Sequence, residues 1–222
     1  MIGVAVVLFA TVAYTWITTP DVRHLRKERP GETAFMQMRR AEAQSEGRKP
    51  RFFQRWVPYS QISPALTRAV LVTEDAAFWG HDGVDYAELR ASIAAGVERW
   101  GRFRGASTIT QQLAKNLYLS PSRNPYRKLK ELFIARRLEA ELTKTRILEL
   151  YLNVIEWGDG IWGAEAAAQT YFGVPASAVS IEQAAMLAAV IMNPRQMNPS
   201  RPTRRLTERQ EMILRRMGGL SP

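Results

Sequence analysis

Apolar residues recur at three- and four-residue spacing along most of the chain, and no segment sustains the two-residue alternation of a half-buried β-strand. The longest helical pattern runs from Leu129 to Asn153 and is broken near Thr143. Further helices are predicted over Ala164–Ala168, Ile181–Ile191 and about Thr207–Met217. The pattern therefore predicts a mainly α fold organised as one domain.

The first segment of the chain, Met1 to Thr19, carries no charge. As a helix it would span roughly 28 Å at ~1.5 Å per residue, close to the thickness of the hydrocarbon layer of a bilayer. Tyr14 and Trp16 lie near one end, where aromatic side chains meet the membrane interface. Residues 1–19 are therefore predicted to form a transmembrane anchor. A cleaved signal peptide is the alternative, but no small-x-small cleavage site follows the apolar run.

Residues 20–50 are polar and irregular, apart from a short helix predicted around Phe35–Ala43. They are interpreted as a juxtamembrane connector to a domain at residues 51–217. Four basic residues follow the apolar run: Arg23, Arg26, Lys27 and Arg29. The positive-inside rule, applied to this flank alone, would place the body of the protein in the cytoplasm. The hydrophobic pattern by itself thus leaves the orientation of the anchor open.

The composition of the 222-residue chain narrows its chemistry. Hydrophobic residues make up 46%, which is enough for a sizeable core. The absence of cysteine excludes disulfides, thiolate metal sites and a cysteine nucleophile. The 31 Lys and Arg against 21 Asp and Glu give a net charge of +10, which favours a polyanionic partner. Nucleic acid, an anionic membrane surface and a pyrophosphate all fit this charge, which does not choose among them.

Two adjacent carboxylates, Glu74 and Asp75, follow an apolar run and open the sequence Glu-Asp-Ala-Ala-Phe-Trp-Gly-His-Asp-Gly. A position at the margin of the core would partly desolvate Glu74 and raise its pKa, as a general acid or base requires. The alternative is an acidic pair in the first turn of a helix, favoured by the helix dipole, with His81 as a turn residue.

The segment Gly105–Asn116 is predicted to begin a helix, because Thr108 and Gln111 fit a T-x-x-Q capping box. Its buried stripe consists of Ile109, Leu113 and Leu117. Another face carries Thr108, Gln111, Gln112 and Lys115, and is uncharged apart from the lysine. Such a face suits hydrogen bonds to sugar hydroxyls or phosphate oxygens, and a capped surface helix is the alternative.

Arg127, Lys128 and Glu131 share one helix face at i, i+3 and i+4 spacing. Two cations and a carboxylate on one face can hold a pyrophosphate, with or without a divalent metal. A solvated charged face explains the same three residues about equally well.

Together these motifs resemble the glycosyltransferase-51 family, the peptidoglycan polymerases with a lysozyme-like fold. The matching segments are Glu74–Asp85, Gly105–Asn116, Arg127–Glu139 and Ile147–Asn153, with further matches at Tyr171–Gly173 and around Asn193-Pro194. The resemblance covers residues from about 50 to 217 and is specific, because several motifs occur in order at sensible spacing. Within the family, the chain resembles the monofunctional branch at Trp157-Gly158-Asp159-Gly160 and at Val174. The sequence contains no S-x-x-K motif.

The resemblance implies roles for individual residues. Glu74 is expected to be the general base, and Glu131 a second catalytic residue or a ligand of a metal. Lys115, Arg127 and Lys128 are expected at the phosphate-binding positions. The remaining substrate contacts are expected at Ser107, Thr108, Gln111, Gln112 and Asn116.

The resemblance also implies an inverting reaction, in which lipid II is polymerised into β-1,4 glycan strands with release of polyprenyl diphosphate. No cofactor is expected to be required, and a divalent cation, Mg²⁺ or Mn²⁺, at the pyrophosphate is left open. The expected partners are lipid II, the growing glycan chain, the cytoplasmic membrane and other cell-wall synthesis and division proteins, and not nucleic acid. The expected location is the cytoplasmic (inner) membrane, with a single span and the catalytic domain on the outer, periplasmic side.

A peptidoglycan-cleaving enzyme, either a muramidase or a lytic transglycosylase, is the rival interpretation of a lysozyme-like fold. Cleavage of a sugar–sugar bond expels an alkoxide and needs a carboxylic acid to protonate it. Expulsion of a polyprenyl pyrophosphate needs cations instead, and Lys115, Arg127 and Lys128 supply them. The sequence therefore favours the transferase. A basic nucleic-acid-binding protein would explain the charge of +10 but not the ordered motifs.

Overall fold

The computed structural model of the chain describes residues 2–91, 107–119 and 124–219. Most of these residues are helical, which confirms the mainly α fold. The helices are α1 Ile2–Ile17, α2 Ala34–Ser45, α3 Pro64–Glu74, α4 Ile109–Tyr118, α5 Pro125–Glu141, α6 Lys144–Val154, α7 Ala164–Phe172, α8 Ile181–Val190 and α9 Arg204–Gly219. Residues 86–91 are helical as well. Short 3-10 turns lie at Arg23–Arg26, Tyr59–Gln61, Phe78–Gly80 and Ala176–Ala178.

Local capping explains where several helices begin. The predicted break near Thr143 is confirmed, because its hydroxyl accepts a 3.2 Å hydrogen bond from the N–H of Arg146 and so begins α6. Ser180 and Gln183 form a capping box at the start of α8. The last helix was predicted correctly in kind, but it begins earlier than expected, at Arg204.

Two groups of helices build the core. Helices α3, α8 and α9 pack against one another, and α4 packs against α5 and α6. The buried side chains form a continuous hydrophobic cluster that includes Leu66, Val70, Ile109, Leu113, Leu148 and Leu187. Burying a side chain of this kind contributes about 1.5–3 kcal/mol relative to leaving it exposed. The end of α3 and the start of α4 meet between the two groups, and this junction carries the predicted site residues.

A small sheet is formed by β1 Phe53–Gln54, β2 Glu156–Gly158 and β3 Ile161–Trp162, in the order β1-β3-β2. Strand β1 runs parallel to β3, and β2 is antiparallel to it. Gly160, between β2 and β3, has φ +73°, and a Cβ there would lie 2.5 Å from the carbonyl oxygen of Arg51. Glycine is therefore required for both its conformation and its lack of a side chain. Strands of two or three residues are too short to show an alternating pattern, so the sequence did not predict this sheet.

The connector, residues 20–50, packs against the helical domain. Val22, Leu25 and Met36 are at most 2% exposed and belong to the hydrophobic cluster. The guanidinium of Arg146 donates hydrogen bonds to the carbonyl oxygens of Leu25 at 2.8 Å and Glu28 at 2.6 Å. The short helix predicted in this segment is α2, and its first residues are capped by Thr33. The connector therefore contributes to the core of the domain.

Helix α1 contacts the domain at its C-terminal end. The rings of Trp16 and Phe133 meet edge to face with centroids 5.9 Å apart, and the guanidinium of Arg137 lies 5.3 Å from the centre of the Trp16 ring. Arg137 also donates a 2.7 Å hydrogen bond to the carbonyl oxygen of Thr19. Over residues 2–91, 107–119 and 124–219, no helix combines the length and the apolar character needed to cross a membrane.

Candidate active site

Glu74 is the last residue of α3, and its half-buried side chain faces α4. The amide nitrogen of Gln112 donates a 2.9 Å hydrogen bond to Oε2 of Glu74. Burial raises the pKa of Glu74, and the Gln112 bond together with the charges of Arg209 and Lys115 partly opposes that rise. The result is a carboxylate with an elevated pKa beside a cleft, which suits a group that accepts a proton during a reaction.

Asp75 joins the end of α3 to the start of α4. Its Oδ2 accepts a 2.9 Å hydrogen bond from the N–H of Ile109, and its Oδ1 lies 2.9 Å from Nε2 of His81. The N–H of Gly83 donates to Nδ1 of His81 at 3.1 Å, so Nε2 carries the proton and donates to Asp75. Both oxygens of Asp75 are thus engaged in fixing the backbone around Glu74.

The start of α4 is fixed by Thr108, as predicted. Its hydroxyl oxygen accepts a 3.2 Å hydrogen bond from the N–H of Gln111 and donates at 2.7 Å to the carbonyl oxygen of Gly83. The other half of the predicted capping box is wrong. The side-chain oxygen of Gln111 accepts a 3.1 Å bond from Nζ of Lys128 instead, because an ammonium is a stronger donor than a backbone N–H.

Arg127, Lys128 and Glu131 lie together on one face of α5, as the spacing predicts. The Glu131 carboxylate, only 3% exposed, accepts a 2.8 Å bond from Nη1 of Arg127 and a second bond from Nζ of Lys128. Lys128 also donates to the hydroxyl of Ser107 at 3.2 Å. A buried carboxylate needs such partners to offset its desolvation. Through Ser107 and Gln111, the cluster therefore joins α5 to the start of α4, and Ser107 in turn lines the cavity beside Glu74.

The pKa of Lys115, on α4, is affected by both of the carboxylates that are predicted to be catalytic. Burial lowers its pKa, the charges of Glu131 and Glu74 oppose that decrease, and the charges of Arg127 and Lys128 add to it. Within residues 2–91, 107–119 and 124–219, its ammonium makes no hydrogen bond or ion pair. The ammonium is thus available to an anionic ligand.

The remaining predicted residues differ in what their side chains do. Gln112 bonds to Glu74 through its nitrogen, and its oxygen accepts a 2.9 Å bond from the hydroxyl of Tyr151 on α6. Asn116 is buried, and its amide nitrogen donates at 2.8 Å to the carbonyl oxygen of Gln112. Ser107 is half-buried and lies beside Lys128. The structure therefore brings all the predicted residues to one junction, with Asn116 directed into the protein.

The cleft at Glu74 has a second wall that the sequence analysis missed. A cavity of about 810 Å³ lies between Glu74, Gln112 and α9, and a smaller one of about 330 Å³, also lined by Glu74 and Ser107, adjoins it. Helix α9 lines the larger cavity with Arg205, Arg209 and Arg216. These arginines recur at four- and seven-residue intervals and so share one helix face, a signal that was present in the sequence.

The donor set of the site fits a protein-bound metal ion poorly. In the part of the chain that the structure describes, no group of three or more His, Asp and Glu side chains is placed to hold a metal. Both oxygens of Glu131 already accept hydrogen bonds from cationic side chains, Arg127 and Lys128. A divalent cation bound by Glu131 would have to displace them.

The sequence matches the family described as Transglycosylase over residues 42–218. It is 47% identical over 192 residues to the biosynthetic peptidoglycan transglycosylase of Nitrosospira multiformis, which covers 86% of this chain and 84% of that protein. It is 42% identical over 215 residues to the protein of the same name from Laribacter hongkongensis, covering 97% and 94%. The corresponding protein of Chromobacterium violaceum is 41% identical over 213 residues, covering 96% and 93%. The matched range includes the residues of the candidate site.

Proposed function

The chain belongs to the transglycosylase family and is a peptidoglycan glycosyltransferase, and from that premise we propose that Glu74 is the general base of glycan polymerisation. An enzyme of this activity acts on lipid II and glycan chains and works in the cell envelope. The observation that carries the proposal is the placement of Glu74: it lies in a cleft, its pKa is raised by burial, and Gln112 holds it at 2.9 Å.

In the proposed reaction Glu74 accepts the proton of the 4-hydroxyl of the acceptor sugar. The oxygen of that hydroxyl attacks the anomeric carbon of the donor as the bond from that carbon to the pyrophosphate oxygen breaks. The pyrophosphate leaves with the bonding electrons, still attached to its polyprenyl chain. A single displacement inverts the anomeric carbon, so an α-linked lipid donor gives a β-1,4 glycan.

Cations stabilise the departing pyrophosphate in this proposal. Lys115 has a free ammonium in the described part of the chain, and Lys128 has a side chain that is 52% exposed. Both, with Arg127, can donate charge-assisted hydrogen bonds to phosphate oxygens. Glu131 acts through these cations, because it accepts hydrogen bonds from Arg127 and Lys128. In a hydrolase the second carboxyl group would have to donate a proton, whereas Glu131 accepts hydrogen bonds from two cations. Glu131 therefore supports the transferase over the hydrolase.

The substrate contacts proposed on α4 follow from exposure and bonding. Ser107 lines the cleft beside Glu74, and its hydroxyl can bond to a sugar hydroxyl. Gln112 lines the same cleft, but its amide is bonded to Glu74 and Tyr151, so we assign it to holding Glu74. Thr108 and Gln111 are buried, and we assign them to supporting the helix start and Lys128. No organic cofactor enters the reaction. A divalent cation, Mg²⁺ or Mn²⁺, would be held by the pyrophosphate oxygens more than by Glu131, because both oxygens of Glu131 already accept hydrogen bonds.

We further propose that α1, with the adjoining residues to Thr19, anchors the chain in the cytoplasmic membrane with the catalytic domain outside. The uncharged surface of α1 supports this, since Val4, Val7 and Phe9 are each at least 65% exposed. The basic flank that argued for the opposite orientation is partly neutralised. Arg23 pairs with Asp21 at 2.7 Å, and Arg26 pairs with Glu141 at 2.5 Å. Association with other cell-wall synthesis and division proteins stays a prediction.

Incubation of the purified full-length chain with labelled lipid II tests the proposed base. We expect a ladder of glycan products from the native enzyme, and at least a ~10²-fold slower reaction for Glu74→Gln, which keeps the shape and removes the base. Lipid II binding by the variant should survive. Near-normal polymerisation by Glu74→Gln would show that another group takes the proton.

A further inference from the structure

We propose that Tyr151 is a positioning residue for the reaction, which orients the amide of Gln112 so that Gln112 holds Glu74 toward the acceptor hydroxyl. The inference rests on the proposed role of Glu74 as the base. Tyr151 lies within the fourth motif, Ile147–Asn153, but it is not among the residues to which the family resemblance assigns a role. Its neighbours in that motif bond elsewhere: Glu149 accepts from the N–H of Tyr59, and Asn153 bonds to Val57.

A chain of two hydrogen bonds runs from α6 through α4 to the end of α3. The hydroxyl of Tyr151 lies 2.9 Å from Oε1 of Gln112, and Nε2 of Gln112 lies 2.9 Å from Oε2 of Glu74. Tyr151 is fully buried, and burial raises its pKa well above the ordinary value of 10.0. The phenol therefore keeps its proton across the pH range in which the enzyme can work, and it can always donate.

The surroundings of Gln112 permit one orientation of its amide. Its nitrogen faces two groups that only accept hydrogen bonds, the carboxylate of Glu74 at 2.9 Å and the carbonyl oxygen of Ser107 at 3.5 Å. The flipped amide would place its oxygen against these two oxygens. The oxygen of Gln112 must therefore point to Tyr151, and the phenol must be the donor. Without that hydroxyl, the half-buried amide would lose the donor that fixes its orientation.

The Gln112 bond is one of several influences on Glu74. Burial is the largest and raises its pKa; the Gln112 bond comes next and lowers it. Arg209 from α9 and Lys115 from α4 lower it further by their charge, and the neighbouring Asp75 raises it. Loss of the Gln112 bond should therefore raise the pKa of Glu74 further and leave its carboxylate less well oriented toward the acceptor hydroxyl.

Tyr151→Phe in the full-length chain tests the proposal, since it removes one oxygen atom from a buried ring. We expect kcat for lipid II polymerisation to fall about tenfold, the effect of one hydrogen bond, while KM stays within about twofold. The acidic midpoint of the kcat–pH profile should move to higher pH. Tyr171→Phe is the matched control, because its hydroxyl donates a 3.1 Å bond to the carbonyl oxygen of Trp157, away from the cleft. An unchanged kcat and acidic midpoint in Tyr151→Phe would overturn the proposal, as would equal changes in the control.

Gln112→Ala gives a second route that leaves the buried tyrosine in place. It should reproduce both the loss in kcat and the upward shift of the acidic midpoint, and a normal midpoint in this variant would also overturn the proposal. In the Gln112→Ala background, Tyr151→Phe should have no further effect on kcat, because Tyr151 acts through Gln112. A further tenfold loss there would assign Tyr151 a purely structural role.

Glu74→Gln separates the two proposals. Retained polymerisation by Glu74→Gln would remove the base on which the inference rests. An inactive Glu74→Gln beside a Tyr151→Phe enzyme with native kinetics would leave the base in place and remove only the role of Tyr151.

Discussion

The carboxylate of Asp75 accepts a 2.9 Å hydrogen bond from the backbone N–H of Ile109, which fixes the last residue of α3 against the first turn of α4. Glu74 precedes Asp75 directly, and Gln112 lies one helical turn after Ile109. This one bond therefore sets the separation at which Gln112 reaches Glu74. The geometry of the proposed base depends on a residue that itself does no chemistry.

Asp75→Ala should lower both stability and kcat. The variant loses two hydrogen bonds to a buried carboxylate, at a cost of about 1.5–3 kcal/mol for each bond to a charged group. Thermal unfolding and lipid II polymerisation measure the two effects. Ser180→Ala is the control, because it removes an exposed helix cap of about 1 kcal/mol outside the cleft and should leave kcat unchanged. If Asp75→Ala were destabilised but kept the native kcat, Asp75 would not be needed to position Glu74.

Glu74→Gln should stabilise the fold at neutral pH while it removes activity. Because burial raises the pKa of Glu74, the folded state disfavours its ionised form, and the charge costs stability above that pKa. At about pH 4 the carboxyl group is protonated, so the difference between Glu and Gln should disappear. Thermal unfolding at about pH 7 and pH 4 measures this. Glu182→Gln is the opposite case, since hydrogen bonds lower the pKa of Glu182; stabilisation there too would point to a general charge effect.

The pH profile of kcat/KM should be bell-shaped, and its two midpoints should lie closer together than the ordinary pKa values of glutamate and lysine. Its acidic midpoint should lie above the ordinary 4.5 of glutamate, because burial raises the pKa of Glu74. Its alkaline midpoint should lie below the ordinary 10.5 of lysine, because burial lowers the pKa of Lys115. Lys115→Arg keeps its charge at high pH, so its alkaline limb should move upward or vanish. An unmoved alkaline limb in this variant would assign that limb to a different group.

Arg127→Ala and Lys128→Ala should each weaken donor binding and turnover, because charge-assisted bonds to the pyrophosphate are lost. Lys130→Ala is the matched control, since it removes the same charge from the same helix but lies off the face that carries Glu131. Lipid II binding and initial polymerisation rates measure the difference. Equal losses in all three variants would indicate attraction by bulk charge and not a defined site.

Features set by local sequence could be predicted. Ile109, Leu113 and Leu117 are buried as their spacing requires, since the period of a helix decides which residues share a face. Arg127 bonds to Glu131 for the same reason, because residues four apart are neighbours on a helix surface. Both predictions needed only the geometry of one helix.

Contacts between distant segments could not be predicted in this way. The bond from Gln112 to Glu74 and the bond from Tyr151 to Gln112 each join residues almost forty positions apart, on different helices. The charge of Arg209 near Glu74 depends on how α9 packs against α3. The burial of Leu25 also depends on tertiary packing. Because its neighbours in the sequence are polar, the local pattern indicated an irregular connector and not a part of the core. The hydrophobic and polar pattern within one helix does not show which distant residues that helix will contact.

Two shortened chains should separate the contribution of α1 from that of the connector. A chain that begins at Asp21 lacks α1 but keeps Val22, Leu25 and Met36 in the core. A chain that begins at Arg51 loses all three, at about 1.5–3 kcal/mol for each buried side chain, and should unfold at a midpoint lower by roughly 10 °C or more. Equal midpoints for the two shortened chains would mean that the packed connector adds nothing to stability.

Activity separates the role of α1 from that of the connector. If α1 anchors the enzyme, it concentrates the catalytic domain at the surface where lipid II resides, without adding a contact to the substrate. The chain that begins at Asp21 should then polymerise lipid II in vesicles more slowly than the full chain, and the deficit should shrink in detergent micelles. The Trp16 ring packs on Phe133 of α5, the helix that carries Glu131, so loss of α1 could also disturb the site directly. A deficit that persists at full size in detergent would favour that direct effect over anchoring, because micelles remove the advantage of sharing a membrane with the substrate.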